Sequence, residues 1–214
     1  VSAAIRIEDL GTMPYRDAWA VQEAAHAQVL AGGQERIFLV EHPPVITFGR
    51  RPGVDQHLIA SPETLAQMGV EVVQSDRGGD ITFHGPGQLV AYPIIRLSDH
   101  RLMVGSYVRA LEMGVIAALA EMGIVANKDK EAIGVWVEGA KICALGVRIK
   151  RGVSLHGIAM NVNTDLSYFD LIVPCGLVGR GVTSVARMLR EGAPGMGVVK
   201  EVVGRRLVEA LGAR

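Results

Sequence analysis

The stretch IGVWVEGAKICALGVRIKRGVSLHGIAMNVN, residues 133–163, decides the fold. Its apolar residues recur with a period of two, and the breaks fall at Glu138-Gly139 and Arg151-Gly152, glycine-bearing pairs suited to tight hairpin turns. The pattern predicts strands over residues 133–137, 141–149 and 153–163, paired antiparallel. In the middle strand Cys143, Leu145, Val147 and Ile149 share one face, which makes Cys143 an inert core thiol, and the other face carries Lys141.

Upstream, residues 89–95 read as another strand. Residues 104–122 read as a helix whose apolar side holds Tyr107, Val108, Leu111, Val115, Ala118 and Leu119. Before them lies RGGDITFHGPGQ, residues 77–88, with four glycines and a proline around a short alternation. Glycine is the standard residue wherever a turn needs unusual dihedrals, so a plain hairpin would use the same letters. Arg77, Asp80 and His84 add three functional side chains, so a ligand-facing loop with a strand inside it is expected. Further back, 70–73, 45–48, 36–41 and 3–7 read as strands, with Pro43-Pro44 forming a rigid corner. Pro14 opens an amphipathic helix to residue 30, and Ser61-Pro62 caps a short one ending at Gly69.

Downstream, FDLIVPCGL, residues 169–177, sets Cys175 between a proline and a glycine, in a tight loop rather than a strand. Helices are expected at 182–189 and 198–211. A free cysteine is commonly a small buried hydrophobe. It is a nucleophile only as thiolate, which needs a nearby cation, base or helix N-terminus. His84, His156 and Lys141 are the available partners, and spacing leaves the choice among them open. His156 also fits a satisfied strand histidine and Lys141 a solvated turn lysine.

Composition bounds the rest. The chain has 214 residues, 49% of them apolar, enough for one domain with a single core. Lys plus Arg equals Asp plus Glu at 22 each, so no global field attracts nucleic acid or an anionic membrane. The two cysteines have neither metal-ligand spacing nor disulfide density, which suits a reducing cytoplasm. Residues 1–9 carry charges unlike a signal peptide, and no apolar run is long enough to span a bilayer.

Five segments together carry a resemblance: EHPPVITFGR (41–50), RGGDITFHGPGQ (77–88), KICALG (141–146), HGIAMN (156–161) and IVPCGL (172–177). In this order, over nearly the whole chain, they resemble the octanoyl-(acyl carrier protein)-protein N-octanoyltransferase family, the lipoate biosynthesis protein B family. The resemblance implies an α+β fold, a mixed, largely antiparallel sheet flanked by helices, similar to the biotin and lipoate protein ligase catalytic domain. It implies transfer of an octanoyl group without a cofactor of the enzyme's own, phosphopantetheine arriving on the donor. The donor would be octanoyl-acyl carrier protein, and the acceptor a lysine on lipoyl domains of 2-oxoacid dehydrogenase complexes or on the glycine cleavage H protein. Cys175 matches the family's acyl-thioester nucleophile and Lys141 the lysine that lowers its pKa. Arg77, Gly78, Gly79, Asp80, Ile81, Thr82, Phe83 and His84 match substrate-binding positions, as do Ala144, Leu145, Gly146, Gly157, Ile158 and Ala159. Ile81, Phe83 and Leu145 are candidates for the wall of an acyl slot, and Arg148, Lys150 and Arg151 for docking an acidic carrier. The rival readings are an ATP-dependent lipoate or biotin ligase and a non-catalytic acyl-binding module.

Overall fold

The computed structural model describes residues 5–173 and 180–212. Cys175, in its Pro-Cys-Gly loop, lies outside the described residues. The elements run β1 (Arg6–Thr12), α1 (Tyr15–Leu30), β2 (Arg36–Glu41), β3 (Val45–Phe48), α2 (Pro62–Gln67), β4 (Glu71–Gln74), β5 (Thr82–His84) and β6 (Gln88–Ile94). Then come α3 (Val104–Glu121), β7 (Asn127–Lys128), β8 (Val135–Val137), β9 (Ala140–Lys150), β10 (Val153–Asn161), α4 (Val185–Leu189) and α5 (Met196–Gly212). Seven strands form one sheet in the order β1-β2-β6-β10-β9-β8-β7, and β4-β3-β5 form a second. Among the described strands β1 with β2 and β3 with β4 run parallel, and the other strand pairs are antiparallel. The fold is thus α+β with mixed sheets flanked by helices.

Strands β8 to β10 arise as their alternation predicts, with Arg151 (φ 54°) and Gly152 (φ 83°) closing the β9–β10 hairpin. The central strands β6 and β10 are buried along their whole length because helices cover both faces. On one face α3 and α5 bring Tyr107, Leu111, Val115, Val199, Val203 and Leu207 onto Ile37, Leu39, Leu89 and Met160. On the other, α1 lays Ala18, Ala25 and Val29 on Phe38, Val40, Tyr92 and Leu155. Each fully buried large apolar side chain contributes on the order of 1.5–3 kcal/mol, so these two layers fix the sheet as a rigid floor.

Local signals set most ends. Ser61 accepts a hydrogen bond from the Thr64 N–H, with Pro62 at the first helical position. Most boundaries shift by one or two residues, β7 was not expected, and β1 and α4 depart furthest. β1 lies later, at Arg6–Thr12, because its register with β2 begins at Arg6 opposite Arg36. Most of its residues are exposed, so hydrophobicity does not mark it. Helix α4 starts at Val185 rather than 182, since Val182 is held in a parallel bridge to Lys141 and Ser184 supplies the cap.

Candidate active site

Between the large sheet, the small sheet and the glycine-rich loop lies a cavity of about 390 Å³, within the usual size of small-molecule sites. Every substrate-position residue named from the sequence lines it except Phe83, and so does Lys141. Phe83 is the exception. In the three-residue strand β5, Thr82 and His84 face the cavity, so the intervening side chain points to the opposite side. There Phe83 stacks on Tyr168 at 4.7 Å and meets Phe169 edge-on. Ile81 and Leu145 do form wall.

The glycine-rich loop is strapped down rather than loose. Buried Arg77 donates to the Thr47 carbonyl at 2.6 Å and to its hydroxyl at 3.0 Å, while the Gly78 N–H donates to the Val147 carbonyl at 3.0 Å. These bonds tie the loop to both sheets. The Gly78 N–H is therefore committed to β9.

Lys141 reaches the cavity because β9 carries a bulge. Val135 pairs with Cys143 but Trp136 with Lys141, leaving Ile142 as the extra residue. Ile142 and Cys143 are both fully buried in the α3/α5 layer, and Lys141 turns the other way. Strict alternation alone would have aligned Lys141 with Cys143. Burial pushes the Cys143 thiol well above its ordinary pKa, so it stays protonated and inert.

A second break in alternation shapes the floor. His156 has φ 57°, a left-handed conformation that costs about 1–3 kcal/mol for a non-glycine residue. Its N–H leaves the strand ladder for Gln22 Oε1 at 2.8 Å, and its ring packs 5.7 Å from Trp19 under α1. The next residue, Gly157, is packed so closely that a Cβ would stand 2.1 Å from the Ala91 carbonyl oxygen.

Around buried Arg77 the cavity is lined by polar rings that are themselves neutral. Tyr15 stacks on His84, and His84 Nδ1 donates to Gln88 Oε1 at 2.7 Å. Gln88 in turn donates to Asn161, and Asn161 to the Thr183 carbonyl. Burial, with the nearby His42 and Arg77, holds the His84 pKa well below its ordinary value. Burial lowers His42 to about 4; its Nδ1 donates to the Met13 carbonyl, so Nε2 accepts from the Tyr92 hydroxyl at 2.8 Å. Burial, with Arg77 and Arg148, lowers His156 to about 3. Its Nε2 donates to Asp76 Oδ1 at 2.6 Å, and its buried Nδ1 has no hydrogen-bond partner among the described residues. These rings present uncharged surfaces.

Sequence reasoning missed other groups. Tyr15 and Tyr92 gave no signal, whereas Gln88 and Asn161 stood inside the quoted motifs. His57, on a 3-10 turn at Val54–His57, donates to buried Asp80 at 2.7 Å, and Asp80 also faces Arg51 at 3.5 Å. Of the three basic residues considered for docking, Arg148 pairs with Asp76 and Lys150 with Glu23, and Arg151 is exposed.

Comparisons fit this geometry. The lipoyl protein ligase A/B catalytic domain model matches residues 14–207. An octanoyltransferase of Chloroflexus aurantiacus is 48% identical over 212 residues, covering 97% of this chain and 92% of that one. An octanoyltransferase of Bacteroides fragilis is 44% identical over 214 residues, covering 95% and 96%. Among solved structures, a lipoate-protein ligase A bound with ATP superposes with TM-score 0.80 at 16% identity, covering 98% and 86% of the two chains. A biotin protein ligase from Aquifex aeolicus gives 0.59 at 14% identity, covering 96% and 70%. At such identities the structures bear on fold alone, and they share this one. Among the described residues no helix is long and apolar enough to cross a membrane. The chain therefore belongs to the octanoyltransferase family, built on the lipoyl protein ligase A/B catalytic domain, and is an acyltransferase.

Proposed function

We propose that this acyltransferase takes an octanoyl group from octanoyl-acyl carrier protein onto Cys175 as a thioester, then passes it to a lysine of a lipoyl domain, beginning lipoate assembly on that protein. The observation that carries the reading is one cavity that gathers Lys141 with the glycine-rich loop and the β9 and β10 segments. Its walls include Ile81, Leu145 and Ile158, apolar groups suited to an alkyl chain at about 0.8 kcal/mol per buried methylene.

The first step is attack of the Cys175 thiolate on the donor's thioester carbonyl. The new C–S bond forms, the tetrahedral intermediate collapses, and the phosphopantetheine thiolate leaves and takes a proton. One thioester replaces another, so the exchange is close to balanced. The Lys141 ammonium favours the attacking thiolate by its positive charge. In the second step the acceptor lysine, as neutral amine, attacks the acyl-cysteine carbonyl, loses its proton and releases the thiolate. The amide product is more stable than the thioester, which drives the pair of steps forward.

The test is to offer the full chain a lipoyl domain with octanoyl-acyl carrier protein, and in parallel with octanoate and ATP. An octanoyl mass increment on the lipoyl domain from the carrier alone supports the reading. Modification only from octanoate and ATP would make the chain a ligase, and binding without transfer a silent acyl-binding module.

A further inference from the structure

Lys141 makes no ion pair with a carboxylate among the described residues. What holds its ammonium is an aromatic ring. Trp136 in β8 lies opposite Lys141 of β9 and is 4% exposed, with the ammonium nitrogen 4.9 Å from its centroid. The ring is fixed on its other sides. Its Nε1 donates to the Ala132 carbonyl at 3.2 Å, and the Arg180 guanidinium lies 3.8 Å from the same centroid, held by Asp129 at 2.7 Å. The lysine stem runs past Gly134, where a Cβ would meet Lys141 Cε at 3.1 Å and Cδ at 3.4 Å.

We propose that Trp136 is a positioning residue, seating the Lys141 ammonium on its ring face at the cavity so that the charge remains available to Cys175. This rests on Lys141 as the partner of Cys175. A carboxylate in the same place would hold the ammonium more firmly but cancel its field. An aromatic face attracts the cation through its quadrupole and leaves the full positive charge in place. Arg180, neutralised by Asp129, packs on the same ring and helps to fix it in place. Asp129 is paired with Arg180, Glu112 of α3 accepts from the Gly134 N–H at 3.2 Å, and Glu131 lines the same cavity; none of them makes an ion pair with Lys141 among the described residues.

The test measures Cys175 alkylation by iodoacetamide against pH, with kcat and KM for octanoyl-acyl carrier protein, in wild type, Trp136→Leu, Trp136→Phe and Lys141→Ala. A cation–π seat of ordinary strength corresponds to about a twofold to thirtyfold change in occupancy. Trp136→Leu is expected to move the alkylation midpoint up towards that of Lys141→Ala and to lower kcat about tenfold, with KM changed by less than about twofold. Trp136→Phe, which keeps a ring, is expected to restore most of both. If thermal melting shows Trp136→Leu unfolded, Trp136→Met takes its place as an apolar side chain that fills irregular gaps. A wild-type midpoint in Trp136→Leu beside a shifted Lys141→Ala overturns the inference alone, as does equal impairment of the Phe and Leu variants. An unshifted Lys141→Ala removes the reading of Lys141 and this inference with it.

Discussion

Thr183 donates its backbone N–H to the Lys141 carbonyl at 2.9 Å, and Lys141 donates its own N–H to Gly181 at 2.9 Å. The chain just beyond residue 180 is thereby stitched to β9 at the lysine. On the near side, Val173 donates to the His57 carbonyl at 2.8 Å, and His57 is paired with Asp80 on the cavity wall. Val182 lines the same cavity. Both described flanks of residues 174–179 are therefore tied to segments that border the cavity.

Thr183→Pro removes the donor to Lys141 and leaves that carbonyl short of a partner, a loss of about 1–3 kcal/mol. Octanoyl transfer is expected to fall more than tenfold while Tm drops by only several degrees, as read by transfer assay and thermal melting on one preparation. Full activity would detach this stitch from the function.

Leu145 and Phe83 separate acyl contact from core packing. Leu145→Ala deepens the wall and is expected to raise the decanoyl-to-octanoyl preference several-fold, on the order of the 0.8 kcal/mol carried by a methylene. Phe83→Ala empties an aromatic cluster behind the wall, where Phe83 packs on Tyr168 and on the cavity-lining Phe169; it is expected to cost about 3–5 kcal/mol of stability and to change the preference less than Leu145→Ala does. Competition between octanoyl and decanoyl carrier proteins reads the first effect and denaturant unfolding the second.

Gly157→Ala drives a methyl into the Ala91 carbonyl. Overpacking of this kind costs about 1–3 kcal/mol or more, and the strand must shift beneath the cavity. A clear fall in the denaturation midpoint is expected; an unchanged midpoint would mean that β10 can move away freely.

Much of this was legible in the sequence. β2 and β3 fall at the predicted residues, and the α1, α3 and β8–β10 boundaries within one to three, because their alternation or helical period coincides with burial on a helix-covered sheet. The cavity segments were legible only through motif resemblance. Two features were not readable from periodicity, the Ile142 bulge and the His156 twist, since each reverses alternation for reasons of pairing and packing. Gln22 and His26 stand among the buried residues of α1 yet are polar, because one caps the His156 N–H and the other meets the Lys150 carbonyl. Phe83 lies on the face of the expected short strand that is turned away from the cavity, because the motif names a stretch of chain and not the face each residue takes.

The neutral histidines predict a pH dependence. An unfolded histidine titrates near about 6.5, whereas His42 is held at about 4 and His156 at about 3, with His84 also lowered. Because the unfolded chain binds the extra protons, their contribution is complete above about pH 6.5 and is lost as pH falls towards the folded values. Each can contribute up to about 1.4 kcal/mol per pH unit in that window. Tm is expected to be level from about pH 7 to 8 and to fall steadily from about 6.5 to 4, before most carboxylates titrate. A maximum of Tm near pH 5 would contradict the neutral assignment.

The central claim is that Cys175 carries the octanoyl group. Intact-mass measurement after mixing the full chain with octanoyl-acyl carrier protein should show one octanoyl adduct on wild type and on Cys143→Ala, and none on Cys175→Ala. An adduct persisting on Cys175→Ala would contradict the account.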